Sequence, residues 1–207
     1  MPAELSLAEK QFLLALAREA LEAAARGQKS PPPDADSLPP ALREPGSSFV
    51  TLMRAGQLRG CIGGLAPDEP LWEDVRRHAA AAALDDYRFP PVAPDELAQI
   101  EVEVSVLTPP QPLHFESPDE LMRKLRPGVD GVVLVDGRHR ATFLPQVWEH
   151  APEPEQFLEL LCDKLGGDPH RWRRGGLKVE IYQVIKFTET ELKVNSGVGQ
   201  PPARPTD

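Results

Sequence analysis

Three stretches of the chain repeat apolar residues at the spacing of an α-helix. Residues 6–26 place leucine and alanine three and four positions apart, and Ser6 followed by Glu9 forms the pattern of a capping box. Gly27 then predicts the end of the helix. Residues 70–84, with an alanine run, and residues 153–165 show the same periodicity. The sequence therefore predicts three main helices, and a shorter one opening at residues 117–120.

Other stretches alternate apolar and polar residues with the period of a β-strand. Residues 100–106 place isoleucine and valine on one face and two glutamates and a serine on the other. Residues 49–53 and 58–62, and residues 131–135 and 140–144, read as two hairpins. Residues 178–188 are predicted to be one long final strand. Because regular crossover helices do not separate these strands, we expect an α+β fold with a mostly antiparallel sheet.

Proline sets the remaining layout of the chain. Residues 28–46 contain six prolines, so we predict an extended connector that wraps the body of the protein, with no regular helix or central strand. A flexible linker is the alternative, but one 26-residue helix would not fold alone. Residues 193–207 are polar and rich in proline and glycine, which predicts a disordered tail.

Composition narrows the class of protein. The chain has 207 residues, a formal net charge of −9 and two cysteines. It has no apolar run long enough to cross a membrane, and its first residues do not read as a secretory signal. These features predict a soluble cytoplasmic protein with free thiols. An acidic balance also disfavours broad electrostatic binding to nucleic acid, although a local basic cleft stays possible.

The hexapeptide Leu-Arg-Gly-Cys-Ile-Gly at residues 58–63 carries the first candidate chemistry. On a strand, Arg59 and Cys61 would share one face, where a guanidinium favours the thiolate form of a cysteine. Gly60 and Gly63 would let a substrate approach closely. These residues suit a catalytic nucleophile. The alternative is packing, because free cysteine is often a small buried hydrophobe and glycine permits a tight helix–sheet contact.

Further residues are candidates for binding. Asp86 and Arg88 either brace a loop as a buried pair, or place Arg88 in the same cleft as Cys61 to hold an anionic group. Gln146 either caps the helix that follows or reads a base edge. Asp130 is expected to be a turn residue, and the glutamates of residues 100–106 are expected to be solvated.

No pattern predicts a metal or a cofactor. The chain has no Cys-x-x-Cys or His-x-x-x-His motif, and its five histidines are scattered. The glycines at residues 60–64 do not match a phosphate-binding loop. Residues 170–178 form a dense basic segment with a tryptophan. They predict either a solvated turn or a contact with nucleic acid through phosphates and stacking.

Several of these motifs, in this order, resemble the AMME-region family, the A component of AmmeMemoRadiSam systems. The signature is the hexapeptide at residues 58–63 preceded by residues 49–52. Residues 86–91 resemble the family's Asp-Pro-Arg-Phe-x-Pro segment, with Tyr87 in place of the usual proline. The other matching segments are residues 100–107, 128–132, 144–147, 157–164 and 187–189. The resemblance runs from about residue 7 to residue 191.

The resemblance implies a two-lobed α+β fold, a variant grouped with the RAGNYA folds, for a family domain over residues 5–192. It also implies genetic company with a radical S-adenosylmethionine enzyme and a Memo-like protein. The activity it suggests is modification of RNA or another macromolecule.

Three hypotheses stay open at this point, and the sequence does not predict an oligomeric state. The chain is an enzyme, or an enzyme component, that uses Cys61 with Arg59. Alternatively, it is a non-catalytic binding or adaptor protein that uses the same surface. In the third hypothesis the hexapeptide is structural only, and the function lies on another surface.

Overall fold

The computed structural model describes residues 5–192, so the predicted disorder of residues 193–207 lies outside the described part. The α+β prediction is confirmed, with two sheets in place of one. Within the described residues the chain divides into two compact units, residues 5–107 with 185–192, and residues 108–184. The helices are α1 Leu7–Ala25, α2 Pro40–Arg43, α3 Leu71–Leu84, α4 Pro118–Lys124, α5 Pro154–Lys164 and α6 Glu189–Leu192. The strands are β1 Pro45–Arg54, β2 Gln57–Gly63, β3 Glu69–Pro70, β4 Ile100–Leu107, β5 Gln111–Pro112, β6 Gly131–Asp136, β7 His139–Phe143, β8 Lys178–Tyr182 and β9 Val184–Thr188.

The first unit is a sheet covered on one face by helices. Its strands run in the order β2-β1-β4-β9, with β3 paired to the start of β1. Helices α1 and α3 pack together and against the sheet. The alternation predicted for β4 places Val102 and Val104 in this core, fully buried. Helix α1 begins at the predicted capping box, in which Ser6 and Glu9 exchange hydrogen bonds.

Strands β1 and β2 form the predicted hairpin. The turn residues Ala55 and Gly56 have φ values of 50° and 75°, the left-handed pair that a two-residue hairpin turn requires. The register pairs Thr51 with Cys61 and Phe49 with Gly63. Strand β2 ends the sheet on this side, so Cys61 lies on an edge strand.

The proline-rich segment is packed against the first unit. Leu38 and Leu42 are fully buried, and both belong to its hydrophobic core. The prediction of an extended connector without a regular helix is wrong in detail. Residues 35–37 form a 3₁₀ turn, α2 forms one helical turn starting at a proline, and β1 begins at Pro45.

The second unit is a four-stranded antiparallel sheet in the order β5-β8-β6-β7. Its core contains the α5 side chains Phe157, Leu158 and Leu161, and the Trp148 ring stacks on Phe157 with centroids 3.7 Å apart.

The single strand predicted for residues 178–188 is wrong, because the chain changes sheets within it. Strand β8 pairs with β6 in the second sheet, whereas β9 pairs with β4 in the first sheet. The break falls at Gln183. Its N–H donates to the Thr108 hydroxyl at 2.9 Å, and its carbonyl accepts the Thr108 N–H at 2.9 Å. Alternation continues through both strands, so it gives no sign of the change of partner.

Candidate functional site

Strand β2 holds the Cys61 thiol on the sheet face opposite the helices. A Cβ on Gly60 would lie 2.3 Å from the carbonyl oxygen of Ala82 in α3, so the Gly60 side of the strand faces that helix. Because side chains alternate, Cys61 points the other way. The thiol is half-buried, and its Sγ accepts a hydrogen bond from the Thr51 hydroxyl at 3.3 Å.

The backbone of Cys61 is bound by an aspartate–arginine pair that follows α3. Asp86 Oδ2 accepts the Cys61 N–H at 2.8 Å, and Arg88 Nη2 donates to the Cys61 carbonyl at 3.3 Å. Arg88 also forms a bidentate pair with Asp86, through Nε at 2.8 Å and Nη2 at 2.7 Å. The pair therefore occupies the position of a neighbouring strand and satisfies the exposed edge of β2 at this residue. We call Thr51, Cys61, Asp86 and Arg88 the Cys61 site.

The Asp86–Arg88 pair is ionised at neutral pH. The Arg88 guanidinium holds the pKa of the Asp86 carboxyl well below its usual range, and the Cys61 N–H lowers it further. The pKa of Arg88 is raised, chiefly by its hydrogen bonds to Asp86. Asp86 is buried with 3% of its side chain exposed, whereas 43% of the Arg88 side chain is exposed. A cation near the thiol therefore faces solvent.

Arg59 does not donate a hydrogen bond to the thiol. Its guanidinium donates to Glu96 through Nε at 3.1 Å and Nη2 at 2.8 Å, and to the carbonyls of Pro90 and Pro91. The Arg59 guanidinium, with the N–H of Ala93, lowers the pKa of Glu96 to about 2. This pair fixes residues 90–96 against β2. Glu96 is not among the residues predicted from the sequence. Glu96 stands in the first turn after Pro94, which is the position of the glutamate in a capping box, and this position would have indicated a role at the start of that turn.

The two predicted glycines lie where a side chain would collide. A Cβ on Gly63 would lie 2.3 Å from the Phe49 ring and 2.5 Å from the Ser48 carbonyl oxygen. Gly60 meets the α3 backbone, as described above. Both glycines therefore serve close packing of β2, and neither needs a positive φ.

The remaining predicted residues lie elsewhere. Gln146 is exposed on a 3₁₀ turn of the second unit, with no side-chain capping bond there. Asp130 is fully buried and accepts three bonds from Arg126, at 3.0 Å from N, 3.1 Å from Nε and 2.5 Å from Nη2. The glutamates of β4 are half-buried. Glu101 accepts the Thr190 N–H, and Glu103 pairs with Lys186.

A buried polar cluster that was not predicted from the sequence lies beneath the same sheet. Ser48, Asp74 and His78 are each at most 2% exposed. Asp74 Oδ2 lies 2.6 Å from the Ser48 hydroxyl and 3.1 Å from His78 Nδ1. The signal was the four-residue spacing of Asp74 and His78 on the buried face of a predicted helix. Because all three are buried and bonded to one another, the cluster links α3 to β1.

The basic segment of residues 170–174 is neutralised by carboxylates. His170 pairs with Glu159, Arg171 with Asp136, Arg173 with Glu155 and Arg174 with Asp168. Trp172 is buried, with 1% exposed, so its ring is not available for stacking on a base. Within residues 5–192, no three histidine, cysteine or carboxylate side chains are grouped to hold a metal ion. The same residues include no helix long and apolar enough to span a membrane.

Fold and site together define an α+β protein with a half-buried thiol on an edge strand whose backbone is held by an aspartate–arginine pair. The chain belongs to the AMMECR1 family, whose model matches residues 14–187. A protein of Thermofilum pendens is 41% identical, over 91% of this chain and 93% of its own length. A protein of Methanothermobacter thermautotrophicus is 45% identical, over 90% and 97%. The crystal structure of the uncharacterized protein PH0010 from Pyrococcus horikoshii superposes with a TM-score of 0.72 at 38% identity, covering 88% of this chain and 92% of that one.

Proposed function

We propose that this protein is a binding component of a system that modifies a macromolecule, and that it holds a partner at the Cys61 site. One observation carries the proposal. Asp86 and Arg88 bind the backbone of Cys61, while its half-buried thiol has a single hydrogen-bond partner among the described residues, the Thr51 hydroxyl. Among residues 5–192, no histidine, lysine or carboxylate side chain is hydrogen-bonded to the sulfur. A nucleophilic thiol normally has such a base beside it.

The proposed partners are proteins. The family resemblance implies a radical S-adenosylmethionine enzyme and a Memo-like protein in the same system. A protein partner suits the site better than RNA does, because the chain carries a net charge of −9 and its densest basic segment is paired with carboxylates. Arginine is enriched among the residues that contribute most to binding at protein interfaces, and 43% of the Arg88 side chain is exposed beside Cys61.

The test is binding of the full chain to each purified partner, measured by calorimetry. We expect Cys61→Ala and Arg88→Ala to weaken binding about tenfold or more, as the loss of central interface contacts does. Arg140→Ala is the matched control, because Arg140 is a half-exposed arginine paired with Glu180 in the second unit. Binding that is equal for the wild type and for both site variants would refute the proposal.

The second candidate function is catalysis with Cys61 as nucleophile. Two observations favour it: the Thr51 hydroxyl donates to the sulfur, and the exposed Arg88 guanidinium is bonded to the carbonyl of the same residue. The pH dependence of iodoacetamide labelling, resolved by mass spectrometry, separates the two candidates. An apparent pKa clearly below the reference of about 8.5 supports a nucleophile, whereas an ordinary value supports binding only. Cys162 is the internal control, because it is fully buried and burial raises the pKa of its thiol.

A further inference from the structure

We infer that the second unit binds an extended segment of a partner protein, which adds as a strand beside β8. The surface is a groove of about 530 Å³, bounded by residues 112–118 on one side and residues 172–180 on the other. It belongs wholly to the second unit and includes none of the residues of the Cys61 site. The inference is therefore independent of the proposed function.

The groove exists because the strand that should cover β8 is too short. Strand β5 pairs Gln111 with Ile181 and Pro112 with Glu180, and the N–H of Leu113 donates to the Val179 carbonyl at 2.8 Å. Residues 114–116 then leave the sheet and form the far wall of the groove. The beginning of β8 is thus paired with β6 on one side and has no strand on the other.

Leu177 presents unpaired backbone groups at this open edge. Leu177 directly precedes β8, and continuing the alternation of the strand by one residue puts its N–H and C=O on the side on which Val179 bonds Leu113. Neither group has a hydrogen-bond partner within the described residues, yet Leu177 is only 8% exposed. Buried backbone polar groups are nearly always paired. A donor and an acceptor spaced along a strand edge are complementary to the backbone of another extended chain.

The residues on the two faces of the groove determine which side chains the bound segment should carry. Leu177 and Val179 belong to the hydrophobic core on the helix side, together with the buried Trp172, and Phe115 packs against the same core. The indole N–H of Trp172 also has no acceptor in this part of the chain. On the opposite face Lys178 is exposed beside the half-buried Glu180. The fitting partner is therefore a peptide that alternates apolar residues with uncharged polar ones.

The test uses the full-length protein and an acetylated, amidated seven-residue peptide in which valine alternates with threonine. We expect the peptide to bind and to slow hydrogen exchange of the Leu177 amide about tenfold at saturation, as a new ladder hydrogen bond would. N-methylation of the peptide on its ladder-facing amides keeps the side chains and removes the donors. We expect it to weaken binding about tenfold or more.

A pair of protein variants tests the side-chain specificity. Phe115→Ala removes part of the apolar wall and should weaken binding. Leu160→Ala removes a leucine that is 44% exposed on α5, outside the groove, and should leave binding unchanged. Two results would overturn the inference. One is a peptide that does not protect the Leu177 amide at millimolar concentration, and the other is equal affinity for the methylated and unmethylated peptides.

Discussion

Replacing Glu96 with glutamine should remove a large, pH-dependent part of the stability of the first unit. Glu96 accepts four hydrogen bonds, from Arg54, from Arg59 twice and from the N–H of Ala93. Its side chain is 15% exposed, and its pKa is about 2 against an ordinary value of 4.5. That difference corresponds to about 3 kcal/mol of folded-state stabilisation at neutral pH. Because the folded pKa is the lower one, this contribution is complete above about pH 5 and is lost as the pH falls towards 2.

The assay is urea unfolding of the wild type and Glu96→Gln at pH 7, 5, 4 and 3. We expect a difference in unfolding free energy of about 3 kcal/mol at pH 7 that shrinks steadily towards pH 3. Glu44→Gln is the control, because Glu44 is exposed in the same unit and its side chain forms no ion pair with any of residues 5–192. A difference that is the same at pH 7 and pH 3, or one below about 1 kcal/mol at pH 7, would show that the ion pair does not act as described.

Three other substitutions test the packing and polar contacts around the site. Gly60→Ala should cost about 1–3 kcal/mol in a thermal or urea melt, because its Cβ would lie 2.3 Å from the Ala82 oxygen. Asp86→Asn removes the charged acceptor of the Cys61 N–H and should speed hydrogen exchange of that amide about tenfold, measured by NMR. Asp74→Ala leaves a buried serine and histidine without their shared acceptor and should cost about 2 kcal/mol of unfolding free energy.

Local signals predicted the elements of this fold well. The capping box at Ser6, the alternation of β4 and the turn at Ala55 each depend on neighbours within four residues, and each is present in the structure. The division of residues 178–188 between two sheets is different, because it depends on which distant strand each half meets. The polar residue at the break, Gln183, is equally compatible with a continuous strand.

In the candidate site, too, features that depend on neighbouring residues could be predicted, whereas contacts with distant residues could not. The face on which Cys61 lies follows from alternation along β2, and the structure places it there. The partner of Arg59 could not be deduced, since Glu96 lies 37 residues further along the chain and reaches it only because β2 packs beside residues 90–96. Because Arg59 lies two residues before Cys61 on one strand, its guanidinium was predicted to favour the thiolate. In the structure the guanidinium instead donates hydrogen bonds to the Glu96 carboxylate and to the carbonyls of Pro90 and Pro91.

The contacts of Asp86 and Arg88 bear on why position 61 carries a thiol. Both residues bond the backbone of Cys61, so these contacts survive any side chain at that position. The side chain itself is half-buried, and its sulfur accepts one hydrogen bond, from the Thr51 hydroxyl. A serine hydroxyl at position 61 can accept the same bond. We therefore expect Cys61→Ser to cost about 1 kcal/mol or less in a urea melt. A larger loss of stability would favour a purely structural role for the hexapeptide, whereas lost partner binding at near-wild-type stability would show that the sulfur serves function.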